Sequence, residues 1–105
     1  MKRENVYQSG LIKRIRDRFP GVVILKNDAS YIQGFPDLTL LYGPPYIPHT
    51  QWACLETKRA PMAIHQPNQD YYVEFLGVMG YSNFINPSNE EEVLDELQQI
   101  FGLSG

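Results

Sequence analysis

Gln51-Trp52-Ala53-Cys54-Leu55-Glu56-Thr57-Lys58 is the stretch on which the fold turns. Its apolar and aromatic run predicts a β-strand over 51–58. Side chains alternate across a strand, so Trp52, Cys54, Glu56 and Lys58 share one face and Ala53, Leu55 and Thr57 the other. The first face is apolar along most of its length and turns charged at its end. Glutamate and lysine are unusual choices there, because charges are rarely buried without partners. The plainer alternative is an exposed Glu56–Lys58 salt bridge, worth about 0–1 kcal/mol.

Upstream, Gly34-Phe35-Pro36-Asp37 leads into a strand over 37–42. Between the two strands lies Gly43-Pro44-Pro45-Tyr46-Ile47-Pro48, whose three prolines lack the donor that a ladder needs. The two strands therefore read as an antiparallel pair around a proline-rich loop over 43–50. That pairing sets Asp37, at the start of one strand, beside Glu56 and Lys58 at the end of the other.

The remaining elements follow from periodicity and punctuation. Val6, Leu11, Ile12, Ile15 and Phe19 recur at helical spacing over 5–19, and Pro20-Gly21 ends that helix. Val22-Val23-Ile24-Leu25 reads as a strand, followed by the turn Asn27-Asp28-Ala29-Ser30. After a loop over 59–66, Pro67 opens a helix capped near Asn68 or Gln66 and closed by Gly80, with Tyr72, Phe75, Leu76 and Met79 as its apolar stripe. A strand covers 81–85. Ser88 with Glu91 matches a capping box for a last helix carrying Val93, Leu94, Leu97, Ile100 and Phe101. The expected architecture is α/β: one domain over 1–105, order αβββαβα, with a central mixed four-stranded sheet flanked by helices. The fourth strand, reached by a crossover helix, is expected to run parallel to the third.

The chain of 105 residues carries a net charge of −3, which argues against a polyanion-binding protein at first sight. The distribution argues otherwise. Residues 1–59 hold all nine basic residues against five acids, whereas 60–105 hold seven acids and no Lys or Arg. Such asymmetry can hide a basic surface inside an acidic total, or reflect helix faces that differ in sign. Lys13, Arg14, Arg16 and Arg18 make the first helix basic, and Lys2, Arg3, Lys26 and Arg59 would extend a phosphate-binding patch. A solvated helix face is the competing reading. No run of 18 apolar residues predicts a membrane span. The polar Met1-Lys2-Arg3-Glu4-Asn5 lacks a following apolar segment, so no secretory signal is expected, and with Cys54 as the lone cysteine a reducing cytoplasm is the expected location.

Asp37 and Glu56 together suit one or two Mg²⁺ ions, which favour a few carboxylates supplemented by water and phosphate oxygens. A metal there would lower the pKa of water and neutralise charge on a phosphate, and the Thr57 carbonyl would add a backbone ligand. Lys58 would orient the attacking water, lower its pKa, or contact the phosphate. Gln69 and Tyr72 share a helix face, Gln69 being polar on that face and Tyr72 a core candidate. His49, His65 and Cys54 lack the tight spacing of a zinc site. Tyr31, Phe35, Tyr42 and Tyr46 serve either packing or stacking on unpaired bases.

Gly34-Phe35-Pro36-Asp37-Leu38, then Leu55-Glu56-Thr57-Lys58, then Gln69-Asp70-Tyr71-Tyr72 with Leu76 and Gly80, together resemble the PD-(D/E)xK nuclease superfamily. The likeness is greatest to the small VRR-NUC type, common in phages and related to Holliday-junction resolvases, and it spans about residues 4–85. The resemblance implies a restriction-endonuclease-like fold, cleavage of DNA with Mg²⁺ or Mn²⁺, Asp37, Glu56 and Lys58 as the catalytic core, and Gln69 as an auxiliary residue. A first-helix glutamate often faces the site in this family; Glu4 is the match here, with Gln8 next along the helix. The 43–50 loop is a departure from the family pattern. The expected activity is a metal-dependent endonuclease, with junction, flap or single-strand-containing DNA as candidate substrates, acting in a host cytoplasm. The competing reading is a DNA-binding or assembly module on a nuclease scaffold, working as a homodimer or with a replication, recombination or packaging partner.

Overall fold

Leu11, Ile15 and Phe19 recur every four residues and are fully buried, which places one stripe of the first helix against a sheet. In the computed structural model, which describes residues 2–28, 30–43 and 51–103 (backbone alone for 2–4), this helix is α1, Lys2–Arg18. It begins before the expected start, and Val6 is 73% exposed rather than part of the apolar stripe. Gly21, at φ 91°, supplies the left-handed turn that leads into the sheet.

The strands are β1 (Val23–Lys26), β2 (Leu38–Tyr42), β3 (Gln51–Thr57) and β4 (Tyr81–Ile85), with α2 (Gln69–Met79) joining β3 to β4 and α3 (Glu90–Ile100) closing the order αβββαβα. Sheet order is β1-β2-β3-β4. β1–β2 and β2–β3 pair antiparallel, and β3–β4 pair parallel after the α2 crossover. This is the mixed α/β architecture expected above. Residues 44–50, most of the proline-rich loop, lie outside the described residues.

Strand alternation gives the sheet two faces. Leu38, Leu40 and Tyr42 of β2, Ala53 and Leu55 of β3 and Ile85 of β4 join α1 and the Val93, Leu94, Leu97 and Phe101 stripe of α3 in one core. Each fully buried side chain of this size contributes about 1.5–3 kcal/mol from removal of apolar surface. Phe19 meets Phe101 edge-on at 5.2 Å, and Phe101 stacks on Tyr42 at 5.1 Å. α2 covers the opposite face, where a Cβ at Gly80 would stand 2.5 Å from the Trp52 ring.

Two sequence expectations need correction. Ser88 does not cap α3. The N-cap is Asn89, and the turn is closed by Asn86 Oδ1 accepting from Ser88 N at 2.7 Å and Asn89 Oδ1 accepting from Asn86 N at 2.8 Å. Short asparagine side chains bonding nearby backbone have displaced the capping box. In the α2 stripe, Leu76 is buried, but Phe75 is 47% and Met79 56% exposed, because the helix packs mainly over β4 and β3 with these side chains turned outward.

Candidate functional site

β3 delivers Glu56 and Thr57 to opposite faces of the sheet, and Lys58 follows directly. All three are buried, Glu56 at 3% and Lys58 at 4% exposure, which removes the exposed salt bridge as an account of them. Leu38 pairs with Leu55 across the sheet, so one further step sets Asp37 beside Glu56. The sheet thus sets Asp37, Glu56 and Lys58 at one strand end.

On the α2 face a single amide ties the charged pair. Gln69 Nε2 donates to Glu56 Oε2 at 2.8 Å, and Gln69 Oε1 accepts from Lys58 Nζ at 2.7 Å and from Gln66 N at 2.7 Å. An ammonium and a backbone N–H can only donate, so the amide oxygen must face them and the amide nitrogen must face the carboxylate. Lys58 Nζ also donates to the Ile64 carbonyl at 3.0 Å. The ammonium is thus held between the Gln69 amide oxygen and the Ile64 carbonyl.

On the α1 face a second string of bonds orients Asp37. Its Oδ2 accepts from Thr57 N at 2.9 Å and from Thr57 Oγ1 at 2.7 Å. The Thr57 hydroxyl in turn accepts from Gln8 Nε2 at 3.1 Å, which brings α1 to the site. Two donors on Oδ2 fix the orientation of the Asp37 carboxylate. Glu4, the other α1 candidate, lies outside the described side chains.

Gly34 explains how the loop before Asp37 meets the start of α2. It has φ 89°, and a Cβ there would lie 2.5 Å from Asn68 Cβ and 2.7 Å from the Pro67 oxygen. Only glycine fits both the backbone conformation and the approach. Asn68 itself has φ 70° at the N-cap of α2, one residue before Gln69. Asn27 completes the frame: its N–H donates to Asp37 O at 2.7 Å, and its Nδ2 donates to Pro36 O at 2.9 Å and Thr39 Oγ1 at 2.8 Å.

Hard oxygens are the donors at this strand end: Asp37, Glu56 and the Thr57 carbonyl. That set fits Mg²⁺ or Mn²⁺, with water and phosphate completing the shell. Among the described residues no group of three or more His, Cys, Asp or Glu gathers to hold a metal ion. Cys54 is buried and lies 3.6 Å from Thr39 Oγ1; burial pushes its thiol up, and the Thr39 bond only partly offsets this.

The basic residues divide. Arg14 Nε is 2.6 Å from Glu90 Oε2, and Arg18 reaches Asp95 at 2.5 Å and Glu91 at 3.4 Å, so both cross to α3 rather than form a free basic face. Lys13 and Arg16 are exposed on α1, Lys26 on the end of β1, and Arg59 next to Lys58. Spacing along α1 shows which residues share a face; it does not show that acidic α3 packs beside them.

Sequence reasoning passed over Asn27 as turn chemistry and treated Thr57 only as a carbonyl donor. The Thr57 signal was present, since a hydroxyl between two charged residues at a strand end has a polar neighbour to bond. His65 was weighed only as a zinc ligand; its Nδ1 instead lies 2.7 Å from Asp70 Oδ1, and its ring stacks on Phe84 at 4.1 Å.

No family model matches the chain, and no curated protein and no solved structure matches it. No described helix is long and apolar enough to cross a membrane.

Proposed function

We propose that the protein is a metal-dependent endonuclease that hydrolyses DNA phosphodiester bonds. The observation that carries this reading is the Gln69 bridge between buried Glu56 and buried Lys58, at the strand end beside Asp37. Burying a carboxylate and an ammonium is costly, and a fold that needed only stability would do as well with apolar residues there. The resemblance of the Pro-Asp, Glu-x-Lys and Gln-x-x-Tyr elements to PD-(D/E)xK nucleases of the VRR-NUC type points the same way.

Asp37, Glu56 and the Thr57 carbonyl would hold Mg²⁺ or Mn²⁺, which would supply an acidified water and neutralise charge on the phosphate. Thr57, itself bonded by Gln8, fixes the Asp37 carboxylate. Gln69 fixes Lys58, whose positive charge would act on the attacking water or a phosphate oxygen. Reaction is in-line displacement at phosphorus with no covalent intermediate on the protein. Lys26 and Arg59 would meet the flanking phosphates, giving position without sequence readout.

The test is cleavage of single-stranded, duplex, flap and four-way-junction DNA with Mg²⁺ or Mn²⁺. At least one substrate should be cut by the parent and none by Asp37→Ala or Lys58→Ala. Equal cutting by the variants, or no cutting by the parent, would refute the proposal.

A second reading is favoured by one observation. Tyr71, Phe75, Val78 and Met79 are exposed along α2 by 58%, 47%, 84% and 56%. An apolar stripe of this kind suits an assembly module that binds DNA with a partner or a second copy and cuts nothing. Retained DNA binding without cleavage distinguishes it.

A further inference from the structure

We propose that the pocket beside Asp37 is a subsite for an unpaired nucleobase, so that the scissile phosphate is presented next to a nucleotide taken out of its stack. The inference rests on the nuclease reading and narrows its substrate to DNA with single-stranded character.

The pocket has a volume of about 440 Å³ and is lined by Asn27, Asp28, Tyr31, Ile32 and Phe35. That volume falls within the range of small-ligand sites, about 300–1,000 Å³. Its walls are continuous with the candidate active site. Asn27 bonds the backbone of Asp37 and of Pro36, and Phe35 lies two residues before Asp37. Tyr31 N donates to Asp28 O at 3.1 Å and Phe35 N to Ile32 O at 3.2 Å, so successive turns shape the cavity. The Phe35 ring is braced against Tyr72 at 5.7 Å.

Three features favour a nucleobase over another occupant. Tyr31 is 86% exposed, so its ring adds little to the protein's own core and stands available as a stacking platform. Asp28 stays ionised, because the Ser30 hydroxyl and then the Ser30 amide, both bonded to Oδ1, hold its carboxyl below the usual range. Its second oxygen is an acceptor for ring or amino N–H groups on a base edge. Lys26, exposed at the end of β1 and paired with Leu38, directly precedes Asn27 of the pocket wall and would meet the backbone phosphate. Aromatic wall, N–H acceptor and neighbouring cation match the face, edge and backbone of one nucleotide. An apolar peptide side chain would use only the first.

The experiment is fluorescence anisotropy with a short labelled oligonucleotide, single-stranded and duplex, in EDTA and separately in Ca²⁺. The parent should prefer the single strand. Tyr31→Ala should weaken that binding about 5- to 150-fold, which is the stacking loss of about 1–3 kcal/mol per base converted at 1.36 kcal/mol per decade. Tyr31→Phe should bind like the parent. A 2-aminopurine in the strand should be quenched by the parent and not by Tyr31→Ala. Parent-like binding by Tyr31→Ala, or equal parent affinity for duplex and single strand, would overturn the subsite. Tyr31 is exposed, so the substitution tests binding rather than folding. The two proposals fail separately. Duplex cleavage unaffected by Tyr31→Ala would leave a nuclease without this subsite. Tyr31-dependent binding with no cleavage in Mg²⁺ would leave the subsite without a nuclease.

Discussion

The side-chain nitrogen of Gln69 donates to Glu56 Oε2 at 2.8 Å, across the gap between the start of α2 and the end of β3. The same amide receives Lys58 through its oxygen, so one neutral residue positions both a carboxylate and an ammonium. Replacing Gln69 with leucine should leave buried polar atoms short of partners and destabilise the fold by about 1–3 kcal/mol. If Gln69 acts by positioning Lys58, cleavage should fall about 10- to 100-fold in a protein still folded at the assay temperature. Thermal melts and single-turnover rates measured on one preparation separate the two effects.

Gly34 should resist substitution more than any other residue of the loop. Gly34→Ala forces a Cβ against Asn68 and Pro67 at a positive φ, and backbone strain of this type costs about 1–3 kcal/mol. Because the displaced residues lead directly into Gln69, activity should fall with stability. Gly21→Ala, also at positive φ but with open space around it, should cost stability and leave cleavage rate per folded molecule unchanged. Chemical denaturation of both variants checks this.

Much of this site was legible because strand alternation is strict. The residues that pack the α1/α3 face, Leu38, Leu40, Ala53 and Leu55, set the register, and register alone brings Asp37 to Glu56 and Lys58. Gln69 was readable from its place on the following helix. The partners of these residues were less so. The Thr57–Asp37 and Asn27–Asp37 bonds depend on how a loop folds back, and the Gly34 requirement depends on where α2 begins. The apolar spacing of α2 suggested a buried stripe, yet Phe75 and Met79 are exposed, since periodicity reports a face without reporting what covers it. The Ser88 pattern failed for a local reason, competition from Asn86 and Asn89.

Acid should weaken the junction of α1 with α3. Burial would raise the Glu90 carboxyl, but hydrogen bonds from Arg14 and then Tyr7 outweigh it, and the net shift is downward. A folded pKa below the unfolded one means stability fully present above the unfolded value and lost as pH falls through the folded value. Glu90→Gln should therefore be less stable than the parent near pH 7, with the gap closing as pH falls from about 5 to about 3. Urea midpoints across that range measure the gap; one that widens in acid would contradict the assignment.

The cations should separate by role. Lys26→Ala or Arg59→Ala should weaken DNA binding across sequences and reduce the salt slope by about one unit each. Arg14→Ala and Arg18→Ala should act mainly on stability, through lost contacts to Glu90, Asp95 and Gln98. Affinity as a function of salt for the four variants distinguishes the classes.

The most direct test of the central claim is anomalous diffraction from crystals of the protein soaked in Mn²⁺. The account predicts one or two anomalous peaks between the carboxylates of Asp37 and Glu56, within reach of the Thr57 carbonyl, and their loss in Asp37→Asn. Crystals that bind Mn²⁺ elsewhere, or hold none at this strand end at saturating concentration, would contradict it.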